Sequence, residues 1–276
     1  MTEQDNVKIC AELVEKSKEV VREAFKSFSV DELAITWTGG KDSTTTLWII
    51  RQVCQEDGII LPKVMTIDEG DSFPDIHEFL TKWSKEWNID LEWCINQDVI
   101  DAAGGKLNAI ISVKDLNERN QAEIKRIGYE EDTFPFEAES YVGNHLMKTV
   151  VFNEFIEQHG IKGIFQGLRR DEQTARLQDE YFEHREASYL VPEHTRIKPI
   201  LHFTERGIWD NIIMNRIPYC VLYKMGYRSL GAATTSKIAA EGVPAWEQDL
   251  EHTTERAGRR QDKEQKMAKL RKLGYM

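Results

Sequence analysis

The chain has 276 residues, of which 30% are charged, and a formal net charge of −11. This length supports a large core in one or two domains. The acidic balance excludes broad electrostatic attraction to nucleic acid, and no apolar run approaches the length of a membrane span.

Residues 7–28 read as an amphipathic helix, because Val7, Cys10, Leu13, Val14, Val20, Val21 and Phe25 fall near helical spacing. The acidic, polar start at residues 1–5 does not resemble a secretory leader, so a cytoplasmic protein is expected. Residues 33–37 form a first apolar strand, and residues 43–54 a crossover helix. Between them lies Thr38-Gly39-Gly40-Lys41-Asp42-Ser43. A loop at the carboxyl end of a strand and the amino end of a helix gathers free N–H groups and the positive end of the helix dipole, which suits a phosphate. Gly39 and Gly40 let the backbone approach an anion, Lys41 supplies a point charge and Ser43 a hydroxyl. The spacing is neither Walker A nor Gly-x-Gly-x-x-Gly. Without a ligand, the same string would be a tight turn with an Asp or Ser N-cap.

Residues 63–67 are expected as a second strand ending at Asp68, which could face a ribose or a metal, or cap a turn. Pro74 opens a helix with Ile76, Phe79, Leu80, Trp83 and Trp87 on one face, and residues 91–95 form a third strand. This βαβαβ order predicts an α/β fold with a mostly parallel sheet flanked by helices. Residues 96–143 are less regular and are expected as loops and short helices around a substrate. Helical spacing returns over residues 144–159, and residues 163–167 form another strand. Gly167 and a charged turn, Leu168-Arg169-Arg170-Asp171-Glu172, then fall at the carboxyl edge of the sheet, where ligands of open α/β folds bind. Arg169, Arg170 and Arg176 would hold phosphate or sulfate oxygens, or else pair with Asp171 and Glu172. Residues 197–200 are expected as an edge strand. A second region, residues 204–276, is expected to be a helical and loop-rich extension of the nucleotide-binding domain at residues 1–203. It begins with a helix N-capped by Thr204, and Arg228 lies in a loop between Gly226 and Gly231. The basic tail at residues 256–272 reads mainly as a solvated helix face.

Cys10, Cys54, Cys94 and Cys220 are far apart and form no metal-ligand pattern. The seven histidines show no metal-ligand spacing either, and no metal-ligand set is assigned. No Ser-His-Asp or Cys-His arrangement can be built, so the chemistry points to phosphate positioning and charge neutralisation.

Residues 38–43 resemble the Ser-Gly-Gly-x-Asp-Ser loop of the N-type ATP pyrophosphatases, with Thr38 keeping the hydroxyl. Several further segments are similar to the sulfate adenylyltransferase small subunit. They are Gly167 to Glu172 with Ala175-Arg176, Lys198-Pro199-Ile200, Thr204 to Trp209, Ile217 to Tyr223, Arg228-Ser229-Leu230-Gly231, Thr253 to Arg259, and Gly274-Tyr275. The wider group is the phosphoadenosine-phosphosulfate reductase family. The resemblance implies an adenine-nucleotide α-hydrolase-like fold and an ATP-dependent nucleotidyltransferase that cleaves between the α and β phosphates, with Mg²⁺. Sulfate would be adenylylated and pyrophosphate released. Carried over, Thr38, Gly39, Gly40, Lys41, Asp42 and Ser43 would bind pyrophosphate, while Arg169, Arg170, Arg176 and Arg228 would face the sulfate or phosphosulfate end. A GTPase large subunit is an implied partner, and self-association is a further expectation.

Two departures bear on the acceptor. The chain lacks the carboxyl-terminal Glu-Cys-Gly-x-His of sulfonucleotide reductases, so thiol reduction there is not expected. It also has Gly231-Ala232 where the small subunit has Gly-Cys, without the longer insertion before it. The alternatives are an ATP pyrophosphatase acting on another acceptor, such as flavin mononucleotide or a tRNA base, a sulfonucleotide reductase relative, or a non-catalytic nucleotide-binding subunit.

Overall fold

Strand β1 (Leu33–Thr36) is buried along its whole length, as its unbroken apolar run requires of a strand covered on both faces. The computed structural model describes residues 3–137, 140–173, 176–253 and 255. In it β1 lies inside a six-stranded sheet with β2 (Lys63–Ile67), β3 (Leu91–Cys94), β6 (Gly163–Phe165), β7 (Phe182–Arg185) and β8 (His194–Ile197). The spatial order is β3-β2-β1-β6-β8-β7, parallel throughout except for β7, which runs antiparallel to β8. From β1 the chain builds outward first to β2 and β3, and later in the opposite direction to β6 and β8. The carboxyl ends of β1 and β6 therefore flank the point where strand order reverses, the crevice in which α/β sheets bind ligands.

Helix α2 (Lys41–Asp57) connects β1 to β2, and α3 (Pro74–Glu86) connects β2 to β3. One face of the sheet packs against α1 (Glu3–Ser27), α2, α3 and α8 (Glu205–Met214) in a single cluster that includes Val21, Ile35, Trp37, Leu47, Leu80 and Trp209. The opposite face buries Ala34, Met65 and Ile164 against Phe152, Phe155 and Ile156 of α7 (Val151–His159). Ile208, Trp209, Ile217, Leu222 and Leu250 belong to the first cluster, so the core continues past residue 204. Thr204 caps α8 as expected, accepting from the Gly207 N–H at 3.0 Å.

Two expectations need correction. The segment at residues 197–200 is not an edge: β8 is internal, and the edge strand is β7, which has a polar, half-exposed pattern with little apolar periodicity to betray it. Residues 96–143 hold α4 (Gln97–Ala102), β4 (Ile110–Ser112), α5 (Glu118–Arg126), β5 (Thr133–Pro135) and the start of α6 (Tyr141–Asn144). With residues 146–150 they build their own apolar cluster around Val99, Ile124, Phe134, Val142 and Leu146, rather than a substrate wall.

His194, on β8, is buried against Phe152, and its Nδ1 lies 2.9 Å from the Pro192 carbonyl. Burial pushes the imidazole down from its ordinary 6.5 to about 4. The folded protein therefore refuses a proton that the unfolded chain accepts. The stability His194 contributes is whole above pH 6.5 and lost as the pH falls toward about 4, an effect of about 3 kcal/mol. Urea unfolding between these limits should be less pH-dependent in His194→Gln than in the parent. An unchanged slope would reject this assignment.

Candidate nucleotide-binding site

The loop after β1 turns through Gly39, whose φ of +76° is a left-handed conformation that favours glycine. Gly40, rather than an Asp or Ser, is the N-cap of α2, with extended backbone angles and no side-chain cap. The first-turn amides of Lys41, Asp42 and Ser43 consequently have no intrahelical acceptor. The Lys41 N–H donates to the Tyr223 hydroxyl at 2.8 Å. The Ser43 hydroxyl closes the loop: it accepts from the Thr38 N–H at 3.2 Å, lies 3.1 Å from Thr38 Oγ1 and donates to the Gly40 carbonyl at 3.1 Å.

A cavity of about 280 Å³ opens over this loop. Thr38, Gly40 and Ser43 form its floor, and Met65, Ile67, Ile76 and Leu80 give it an apolar side. Gly167 and Leu168 close it from β6. A side chain on Gly167 is excluded, because a Cβ there would come within 2.7 Å of the Ser43 backbone nitrogen and Cα. No described residue between 96 and 143 lines the cavity.

The charged residues are distributed differently from what their spacing suggested. Lys41 is 1% exposed. Its Nζ lies 2.5 Å from Glu255 Oε1, 3.4 Å from Asp42 Oδ2 and 3.8 Å from Glu205 Oε1, and it donates to the Arg228 carbonyl at 2.9 Å. Arg169 is buried beside it, 3.1 Å from Asp42 Oδ1 and 3.4 Å from Asp171 Oδ1, and also paired with Glu255. One carboxylate, Glu255, thus bridges the two cations. Burial alone would lower the Lys41 and Arg169 pKa values, but Asp42 and Glu255 outweigh it and hold both groups above their ordinary values. Burial raises the Asp42, Asp171 and Glu205 carboxyls, against the pull of neighbouring cations.

Of the four arginines expected at an anion, Arg176 alone lines the cavity, and it is paired with Glu172. Arg170 turns away, donating to the Asp179 carbonyl and lying over the Tyr181 ring at 5.4 Å. Arg228 is buried against Glu205, 2.5 Å from Oε2, and bonds to Thr253. Asp68 caps a turn by accepting from the Gly70 N–H at 2.9 Å. Asp71, three residues on, is the carboxylate that reaches the cavity wall, where it bonds to Thr234.

The remaining lining residues carried no assigned role in the sequence. They include Gln166, Tyr223, Lys148 and Glu255, together with a stacked His77–Trp93 pair whose centroids lie 4.7 Å apart. Tyr223 and Glu255 fall inside strings already quoted for the resemblance, which was their only signal. Lys148 comes from a π-helical turn, His145–Val150, and pairs with Glu69 at 2.8 Å. The basic tail, Thr254, and the Gly274-Tyr275 pair lie outside the described residues.

Among the described residues no three His, Cys, Asp or Glu side chains converge on a metal position, and no helix is long and apolar enough to cross a membrane. Burial pushes the thiols up, Cys54 and Cys220 to about 11 and Cys94 to about 12, so a thiolate is not on hand at neutral pH.

A family model described as the phosphoadenosine phosphosulfate reductase domain matches residues 32–238. A sulfate adenylyltransferase subunit 2 of Rhodopseudomonas palustris is 24% identical over 230 residues, covering 76% of this chain but only 60% of that protein. The Pseudomonas savastanoi protein of the same name is 24% identical, with coverages of 88% and 74%. Among solved structures, Candida glabrata FMN adenylyltransferase with FMN and an ATP analogue aligns with a TM-score of 0.63 at 18% identity, over 95% of this chain and 91% of that one. A Candida auris phosphoadenylyl-sulfate reductase aligns at 0.56 and 17% identity, over 86% and 98%. At such identity the two structures speak for the fold.

Proposed function

The chain belongs to the phosphoadenosine phosphosulfate reductase domain family, and on that premise we propose that it is an ATP-dependent adenylyltransferase that releases pyrophosphate, with sulfate as acceptor. The observation that carries this reading is the continuity of the cavity. A glycine-bearing loop at a helix N-terminus and an apolar wall share one space at the switch point of the sheet. The first suits the phosphates and the second the base.

In this reading the base rests on Met65, Ile67, Ile76 and Leu80, and the β and γ phosphates rest on the first-turn amides of α2. A sulfate oxygen forms a bond to the α phosphorus. The bond to the bridging oxygen breaks, and pyrophosphate leaves with that electron pair. The protein supplies position and charge, with no side-chain nucleophile. Mg²⁺ would accompany the nucleotide, since among the described residues no three His, Cys, Asp or Glu side chains converge to hold it. It would neutralise charge on the departing pyrophosphate. A second, larger subunit, as the relatives' name of subunit 2 suggests, taken here to be a GTPase, and a cytoplasmic setting belong to the same proposal.

A second reading has its own observation. Arg169 and Arg228 are taken up by carboxylates, and the half-exposed His77–Trp93 stack stands at the cavity wall. An acceptor with a planar ring, such as flavin mononucleotide, would use such a platform. Exchange of labelled pyrophosphate into ATP, measured with sulfate and with flavin mononucleotide, and with and without a GTPase partner, decides. Sulfate-dependent exchange supports the first reading and flavin-dependent exchange the second. No exchange with any acceptor rejects adenylyl transfer.

A further inference from the structure

Gln166 directly follows β6 in the cavity wall, one residue before Gly167, where an added Cβ would collide with the backbone of Ser43. Its backbone is satisfied: the N–H donates to the Ile197 carbonyl at 2.8 Å, and its own carbonyl accepts from Leu168 at 3.1 Å. The side chain is not. Gln166 is 3% exposed, and its Oε1 is sealed from water with no hydrogen-bond partner among the described residues. Nearby Thr36 offers no relief, because its hydroxyl is committed to the Phe165 carbonyl at 3.0 Å. A buried carboxamide oxygen without a partner is costly and calls for an explanation.

We propose that Gln166 is a specificity-determining residue that hydrogen-bonds a ribose hydroxyl of the bound nucleotide. The inference rests on the nucleotide reading of the cavity and adds the group that tells a nucleotide's sugar from other polyphosphate carriers. The unmet atom is an acceptor, so its partner must carry a donor. Triphosphate oxygens and sulfate carry none at neutral pH. The nucleotide's donors are its ribose hydroxyls and, on adenine, the exocyclic amine. The apolar wall for the base lies on β2 and α3, on the far side of β1 from β6, whereas Gln166 adjoins the phosphate loop. Between base and phosphates the nucleotide presents its sugar. A hydroxyl both donates and accepts, so it satisfies whichever end of the carboxamide faces it.

The test is equilibrium binding, by calorimetry, of ATP, 2′-deoxy-ATP, 3′-deoxy-ATP and purine riboside triphosphate, which lacks the exocyclic amine. Each is titrated into the parent, Gln166→Leu and Gln166→Glu. Gln166→Leu should bind ATP about 3- to 10-fold more weakly. It should bind one of the deoxy analogues as tightly as the parent does, because the contact is already absent there. Gln166→Glu keeps the shape, places a carboxylate beside the phosphates and should lose more. If Gln166→Leu does not fold, the same comparison is made with Gln166→Met, which keeps the unbranched shape and lacks the acceptor. Equal weakening across all four nucleotides overturns the proposal, as does non-additivity confined to the analogue lacking the amine. A parent that binds none of the four overturns this assignment together with the nucleotide reading. A parent that binds all four, with Gln166→Leu leaving every affinity unchanged, overturns the assignment alone.

Discussion

Replacing Lys41 with methionine is expected to cut adenylyl transfer by about 100-fold or more and to lower unfolding stability by about 3–5 kcal/mol. Both losses follow from its position. The Lys41 ammonium is buried among Asp42, Glu205 and Glu255, so removing it strands carboxylates that cannot reach water. A surface lysine that merely attracted phosphate would cost turnover and leave folding alone. The two effects separate in the double variant Lys41→Met, Glu255→Gln. Loss of the facing carboxylate should restore part of the stability but none of the activity. Chemical denaturation beside initial rates checks this, and a single variant with parental stability would contradict the buried network.

Among the site glycines Gly39, Gly40 and Gly167, the substitution Gly167→Ala should be the sharpest. The added methyl would stand 2.7 Å from the Ser43 N and Cα atoms and 2.8 Å from the Asp42 carbonyl carbon, all of them backbone. No rotamer can yield, so the amino end of α2 must move. Overpacking of this kind costs about 1–3 kcal/mol in stability. The loop amides would meet the phosphates displaced, and a shift near 1 Å can cost about 100-fold in rate. A folded Gly167→Ala protein with a parental rate would mean that the loop does not position the reacting phosphates.

Much of the fold was legible because strong periodic signals coincide with strong burial. The apolar run of β1, the helical face of α3 and the Thr204 cap all read directly from the residues. The β7 edge did not, since a short, half-exposed strand has no apolar pattern to show. The region between residues 96 and 143 was misjudged for another reason. Its Gly104-Gly105 pair and Pro135 suggest loops, yet Val99, Ile124, Phe134 and Leu146, spread along the chain, close into a core that no local window reveals.

The candidate site was legible in its position and not in its charge pairing. The loop from Thr38 to Ser43 and the turn at Gly167 meet as strand order predicts. Spacing cannot say where a long cationic side chain points, however. Arg170 and Arg228 turned to Asp179 and Glu205, while Glu255, more than 200 positions from Lys41, arrived between Lys41 and Arg169. Only the folded chain brings such partners together. The resemblance supplied the string that contains Glu255, but not its partners.

This cavity is expected to cleave ATP between its α and β phosphates. The most direct measurement follows ATP labelled at the α phosphate through a complete reaction with acceptor and separates the products. The label should appear in AMP joined to the acceptor, or in AMP itself after hydrolysis, with one unlabelled pyrophosphate released per turnover. Label accumulating in ADP, with orthophosphate in place of pyrophosphate, would contradict the account.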